Sequence, residues 1–217
     1  MSTWLVVPVK SLRNGKSRLS AALDGVRRPQ FLAWLLRRTL RQAAQFPGLD
    51  RTLVVSACEQ ARACATACGA RVLQERAPGG LNSALEQAQR ELQRLGASRM
   101  LMASCDLPLL SPADLEALAA AVSAETIAIA PDRSRQGTNA IGLDSAAQLA
   151  FGFGPGSFAH HLNGIRQIDK TAAIVERAGL AFDIDFPEDL GEFRAMIPAL
   201  AAHRKPRSVL ESEPPPL

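Results

Sequence analysis

The chain has 217 residues, enough for one sizeable domain whose core needs no disulfide or metal staple. Hydrophobic residues make up 47% and charged residues 21%, ordinary for a soluble globular protein, and a net charge of +4 favours anionic ligands. Aromatics are only 5% with no tract interleaving them with basic residues, which argues against a nucleic-acid partner; the first apolar run is too short for a signal peptide, and none approaches the ~20 residues of a membrane span.

The first element is Trp4-Leu5-Val6-Val7-Pro8-Val9, an unbroken apolar run of the kind found in a strand buried on both faces. A helix is expected from about Arg28 to Phe46, with Phe31, Leu32, Leu35, Leu36, Thr39, Leu40 and Ala43 on one side, ended by Pro47-Gly48. Leu53–Ser56 reads as a second strand, Glu59–Cys68 as a short helix stopped by Gly69, and Arg71–Leu73 as a weaker third strand. Leu81–Leu95 has helical spacing, and Met100–Ala103 is the fourth strand. Ser111-Pro112-Ala113-Asp114 combines a hydroxyl cap, a first-turn proline and an acid three positions on, which predicts a helix start. Thr126–Ala130 is the fifth strand.

Strands alternating with helices at this rhythm predict a three-layer α/β fold around a mainly parallel sheet. After Pro131 the rhythm gives way to Gly-rich polar segments, then to a strand-like Phe182–Phe186 and a helix opened by Pro187. The expected organisation is a single domain over 1–200 and a flexible, charged, Pro-rich tail over 201–217. The cysteines, Cys58, Cys64, Cys68 and Cys105, form no CxxC pair and are expected as free thiols of a cytoplasmic protein. Quaternary state is not encoded in any motif, and a homodimer is left open.

Candidate chemistry sits in the loops after strands, because open parallel sheets bind ligands at their carboxyl ends. The first such loop runs Lys10-Ser11-Leu12-Arg13-Asn14-Gly15-Lys16-Ser17-Arg18-Leu19. Its four cations, hydroxyls and backbone amides suit a triphosphate, although the Walker A spacing is absent. Asp106 lies between the fourth strand and an apolar Leu-Pro-Leu-Leu turn, where a carboxylate is costly unless paired or metal-bound. Asp183 and Asp185 flank Ile184, and strand geometry would turn both to one face, where their repulsion calls for a cation. Pro131–Ala140 adds Arg133 and Arg135 as a place for a second anion, and Gly154-Pro155-Gly156-Ser157 offers backbone amides near a helix start. His160 and His161 follow and read as an exposed pair on that helix. Together these groups fit metal-assisted phosphoryl or nucleotidyl transfer, in which the protein aligns and neutralises its substrates.

These stretches also carry a resemblance. From Val7 to about Met196 the chain resembles the guanylyltransferases of deazaflavin coenzyme F-420 biosynthesis. The matching segments are Val7-Pro8-Val9-Lys10 with Lys16-Ser17-Arg18-Leu19, Gly80-Leu81-Asn82 with Ala84-Leu85, and Asp106-Leu107-Pro108-Leu109. Further on come Pro131-Asp132-Arg133 with Gly137-Thr138-Asn139-Ala140, Phe153-Gly154-Pro155-Gly156-Ser157-Phe158, and Asp183-Ile184-Asp185. The resemblance implies a nucleotide-diphospho-sugar-transferase-like, Rossmann-like fold. It implies GMP transfer from GTP to a phosphorylated three-carbon acid (2-phospholactate, phosphoenolpyruvate or 3-phosphoglycerate) with magnesium and release of pyrophosphate. By the same resemblance Thr138, Gly154 and Ser157 hold the acid and Asp106, Asp183 and Asp185 hold metal. Lys10, Ser11, Lys16 and Arg18 are then expected around the nucleotide, with Asp106, Lys16 and Arg18 nearest the chemistry. Cys105 and Ser134-Arg135-Gln136 depart from the family pattern. The rival readings are a nucleotidyltransferase for another phosphorylated acceptor and a non-catalytic nucleotide-binding module.

Overall fold

The computed structural model describes residues 2–76, 79–202 and 215–217. In chain order its elements are β1 (Thr3–Pro8), α1 (Arg27–Gln45), β2 (Thr52–Ser56), α2 (Glu59–Ala67), β3 (Arg71–Gln74), α3 (Gly80–Arg94), β4 (Arg99–Ala103) and α4 (Pro112–Ala120). They continue with β5 (Thr126–Pro131), β6 (Thr138–Asp144), α5 (Ser157–Gln167), β7 (Thr171–Ile174), α6 (Ala178–Ala181) and α7 (Pro187–Ala202). Most of the segment expected to be a flexible tail lies outside the described residues.

The seven strands form one sheet in the order β3-β2-β1-β4-β6-β5-β7. All neighbouring pairs are parallel except those of β6, which runs antiparallel to both β4 and β5. The unbroken apolar run of β1 is used as the sequence implies. Leu5 and Val7 join a core under α1, α2, α4, α6 and α7, while Trp4 and Val6 join a second core under α3 and α5. Layers of helices on both faces are what an all-apolar central strand requires. The helix start at Ser111 is a full capping box: Asp114 Oδ2 accepts from the Ser111 backbone amide at 2.9 Å and from its hydroxyl at 2.6 Å.

Two strands were not anticipated, β6 and β7. Thr138–Asp144 follows a Gly-rich turn, and Thr171–Ile174 reads TAAI, too short and alanine-rich to show a strand period. The strand expected over Phe182–Phe186 is absent; that segment is irregular and links α6 to α7. Its donors are used elsewhere. Phe182 N–H goes to Ala178 O, Ile184 N–H to Asp106 O, and the amides of Asp185 and Phe186 to the Asp189 carboxylate at the start of α7. No ladder can form from amides committed to helix ends and to one turn. Among the described residues no helix is long and apolar enough to cross a membrane.

Candidate active site

β6 being antiparallel, its first residues lie at the carboxyl edge of the parallel strands, beside the turn that follows β4 and the loop that follows β1. Ligands of open α/β sheets bind at this edge. Asp106 sits in the turn after β4, and the bond from Ile184 N–H to Asp106 O, at 3.2 Å, fastens the 182–186 segment to that turn. Phe182 and Ile184 are buried, so Asp183 and Asp185 turn outward on the shared side that the sequence alternation implies, without a strand. The three expected aspartates are therefore assembled from two distant segments.

Lys16 enters from the first loop and forms ion pairs with both Asp106 and Asp185. It sits in the left-handed region (φ 51°, ψ 49°) immediately before the short turn Ser17–Ala21. Gly15 lets the loop close behind it, since a Cβ there would stand 2.4 Å from the Ser11 carbonyl oxygen. Burial works to lower the Lys16 pKa, but the carboxylates of Asp106 and Asp185 more than offset it and hold it above the usual range. Among the described residues no cation forms an ion pair with the Asp183 carboxylate, and Lys16 acts on it only as the weakest influence. Burial, then the charges of Asp106 and Asp185, push it up to about 6 against one hydrogen bond from Asn139 Nδ2 at 3.2 Å. Asp106 Oδ1 is buried and has no hydrogen-bond partner among the described residues.

An orphaned carboxylate oxygen beside two more carboxylates is a set of hard donors, suited to magnesium held by one or two carboxylates and substrate phosphates. As they stand, no three acidic, imidazole or thiolate groups among the described residues converge tightly enough to hold an ion, and it is the Lys16 ammonium that neutralises the pair. A metal would therefore share or take over carboxylates now held by lysine.

The remaining cations of the first loop are differently disposed. Lys10 and Arg18 are exposed, and the Arg18 guanidinium lies 4.8 Å from the Phe186 ring centroid, reaching across to the aspartate segment. Ser11 shapes the loop, its Oγ accepting from the amides of Arg13 and Asn14 at 3.2 and 3.1 Å.

Thr138 and Asn139, adjacent on β6, face opposite ways. Asn139 donates to Asp183, as described, while Thr138 faces α5. The Thr138 amide donates to Ser157 Oγ at 2.9 Å, and Ser157 is the first residue of α5. Gly154 (φ 144°) and Gly156 (φ 72°) occupy backbone regions that only glycine enters freely, which is how the loop turns into the helix. The first two amides of α5 are already used by Gly154 O and Gln136 O, so less free N–H is offered here than the glycine pattern suggests. The hydroxyls of Thr138 and Ser157 are the main polar groups brought together.

One expectation is qualified by the structure and one is corrected. Arg133 and Arg135 do border a cavity of about 330 Å³, with Asp132, Glu176 and Arg177. Their charge is, however, already matched: Arg133 pairs with Asp189 at 2.6 Å and Glu192 at 2.5 Å, and Arg135 pairs with Glu176. A second anion here would have to share or displace these exposed ion pairs. The histidines are not an exposed pair either. His160 is exposed, but His161 is fully buried, with Nδ1 3.0 Å from Thr138 Oγ1. Sequence reading missed His161, although its position four residues after Ser157 puts the two on one helix face.

Comparison with known proteins gives the family and the fold. Residues 3–198 match the family model described as guanylyl transferase CofC like. The phosphoenolpyruvate guanylyltransferase of Rubrobacter xylanophilus is 42% identical over 196 residues, covering 90% of this chain and 95% of that protein. The 2-phospho-L-lactate guanylyltransferase of Methanothermobacter thermautotrophicus is 31% identical over 192 residues, covering 88% of this chain and 84% of that protein. A crystal structure from Desulfovibrio desulfuricans, assigned as a nucleotide-diphospho-sugar transferase, superposes with a TM-score of 0.74 at 14% identity, covering 90% of this chain and 88% of the other. That likeness fixes the fold, as the sequence resemblance implies. Matched along nearly its whole length and 42% identical to a curated member, the chain belongs to the CofC-like family of guanylyl transferases.

Proposed function

We propose that this guanylyltransferase transfers GMP from GTP to phosphoenolpyruvate, releasing pyrophosphate, in a magnesium-dependent reaction. The observation that carries the reading is the meeting of Asp106, Asp183 and Asp185 with Lys16 at the carboxyl edge, with a buried carboxylate oxygen left unpaired. Lys10, Ser11, Lys16 and Arg18 line the loop that would receive the triphosphate, and Thr138, Gly154 and Ser157 the place of the acid. Among the candidate acids, phosphoenolpyruvate is favoured by the name of the relative at 42% identity over the phospholactate enzyme at 31%.

The attacking group is the acid's own phosphate, already ionised, so no general base is required. The chain's work is orientation: Thr138 and Ser157 hold the acid, while Lys16 and Arg18 offset negative charge on the phosphates. Magnesium, when bound by the aspartates, would neutralise charge on the triphosphate and on the departing pyrophosphate. Pyrophosphate release measured with GTP, magnesium and each of phosphoenolpyruvate, 2-phospholactate and 3-phosphoglycerate tests the reading. Release with phosphoenolpyruvate first is expected. Silence with all three acids would overturn it, and turnover with ATP or CTP but not GTP would overturn the choice of nucleotide.

A further inference from the structure

A hydroxyl can donate or accept, and only its neighbours decide which role is left to it. At Thr138 that decision is made by His161. The ring is fully buried in α5, with the Phe153 ring edge-on at 4.7 Å between centroids. The Gly152 backbone amide donates to His161 Nε2 at 3.0 Å, so Nε2 must present its lone pair. The ring is neutral at physiological pH, because burial, with the His160 charge adding to it, pushes it down to about 4. A neutral ring with Nε2 as acceptor carries its proton on Nδ1, and that N–H donates to Thr138 Oγ1 at 3.0 Å.

The consequence lies in the protons left over. Thr138 Oγ1 accepts from His161, and Ser157 Oγ accepts from the Thr138 amide. Neither hydroxyl has an acceptor for its own O–H among the described residues. Two adjacent, buried side chains are thus each left with an O–H to give.

We propose that His161 is a positioning residue that fixes the Thr138 hydroxyl as a hydrogen-bond donor to the acceptor substrate, so that this pocket selects a group that only accepts, a carboxylate or a fully ionised phosphate. The inference rests on the reading above that Thr138 and Ser157 face the acid. It goes beyond it by giving His161 a role and the pocket a polarity. The Gly152 amide supplies the restraint at one end of the ring, and the acid receives its effect at the other.

The first test uses the wild-type protein with no substrate. The ¹⁵N shifts of the His161 ring should show a protonated Nδ1 and a bare Nε2 at neutral pH; the opposite tautomer, or a charged ring, overturns the proposal. The second test splits the two ends of the ring. In His161→Asn the side-chain amide reaches the Nδ1 position and can donate to Thr138. In His161→Gln it reaches the Nε2 position and can accept from Gly152. His161→Asn should keep the KM for the acid within about threefold, whereas His161→Gln should raise it about tenfold or more, the loss expected for one hydrogen bond to a charged group. The KM for GTP should not change in either. The reverse order, or equal effects, would mean that the ring merely braces the 152–154 segment. Should both variants fail to fold, the tautomer measured on the wild-type ring decides alone, a protonated Nε2 overturning the proposal. A wild type that releases no pyrophosphate with any acid would sink the proposed function, while the tautomer measurement would still stand or fall separately.

Discussion

Replacing Lys16 by Met removes the one ammonium that bridges Asp106 and Asp185 while keeping most of the side chain's bulk. The Lys16 and Asp106 side chains are 17% and 18% exposed, so that half of the bridge is mostly shielded, whereas Asp185 at 41% is screened by water. Breaking a fully buried pair by removing one partner costs about 3–5 kcal/mol, and a surface pair is worth about 1 kcal/mol or less. With one mostly shielded and one screened half, a loss of about 2–4 kcal/mol follows for the variant. At roughly 2–4 °C per kcal/mol for a chain of this size, the Tm should fall by about 5–15 °C. The second part of the prediction concerns the metal. If the aspartates bind a divalent cation as proposed, it would compete with the Lys16 ammonium in the wild type but meet the carboxylates unneutralised in Lys16→Met. Magnesium should therefore raise the Tm of the variant more than that of the wild type in parallel thermal melts without nucleotide. A variant that melts within about a degree of the wild type, or an equal magnesium shift in both proteins, would refute this account of the aspartate cluster.

Three further outcomes are expected. Asp106→Asn and Asp183→Asn should each lower kcat/KM by about a hundredfold or more, the scale of charge stabilisation that a metal provides, while the far-UV circular dichroism stays native; near-normal turnover in either would remove that residue from the metal set. Because His161 is pushed down to about 4 from an ordinary 6.5, the unfolded chain binds the extra proton first, so this group contributes stability that is lost as pH falls from 6.5 to 4. Wild-type stability should decline over that window with a slope up to about 1.4 kcal/mol per pH unit steeper than that of His161→Asn, measured by urea unfolding, and parallel curves would contradict the buried neutral ring. Among the cysteines, a hydrogen bond from Cys68 and then the Arg37 guanidinium hold Cys64 below the usual thiol range, while burial first and Asp106 second push Cys105 up to about 12. Iodoacetamide near neutral pH should label Cys64 well before Cys105, as read by peptide mass spectrometry, and early labelling of Cys105 would show that its surroundings open in solution.

What could be read from the sequence was whatever repeats locally. Apart from the weaker β3, the strands from Trp4 to Ala130 announce themselves by continuous apolar runs, and the Ser111–Asp114 cap by chemistry confined to four residues. Asp106 was legible because a carboxylate between a buried strand and an apolar turn is anomalous on its own, and Asp183 with Asp185 because alternation about Ile184 puts both on one side. Long-range pairing was not legible. Whether Phe182–Phe186 becomes a strand depends on where its amides find acceptors, and they find them in Asp106 O and the Asp189 carboxylate. Likewise nothing near Arg133 and Arg135 reveals that Asp189, Glu192 and Glu176 fold back to pair with them. His161 was misjudged for the same reason: its burial depends on Phe153 and Thr138 closing over it.

The direction of β6 is what joins these separate features into one site. A parallel strand in its place would begin at the amino edge of the sheet and carry Thr138 and Asn139 away from the ligand-binding edge. Running antiparallel, it delivers both residues to the edge where β1 and β4 end. Because neighbours on a strand face opposite sides, one residue serves each half of the site: Asn139 bonds Asp183 among the carboxylates, and Thr138 bonds His161 and Ser157 beside α5. The two halves are therefore a single peptide bond apart in the chain, fixed by a strand whose next residues, Ala140 and Ile141, are fully buried. For a reaction in which one bound phosphate attacks another, that rigidity is the useful property. With acid and nucleotide placed as proposed, it would set the distance between them by backbone geometry instead of by flexible side chains, and reaction rates respond to misplacements of about 1 Å by up to about a hundredfold.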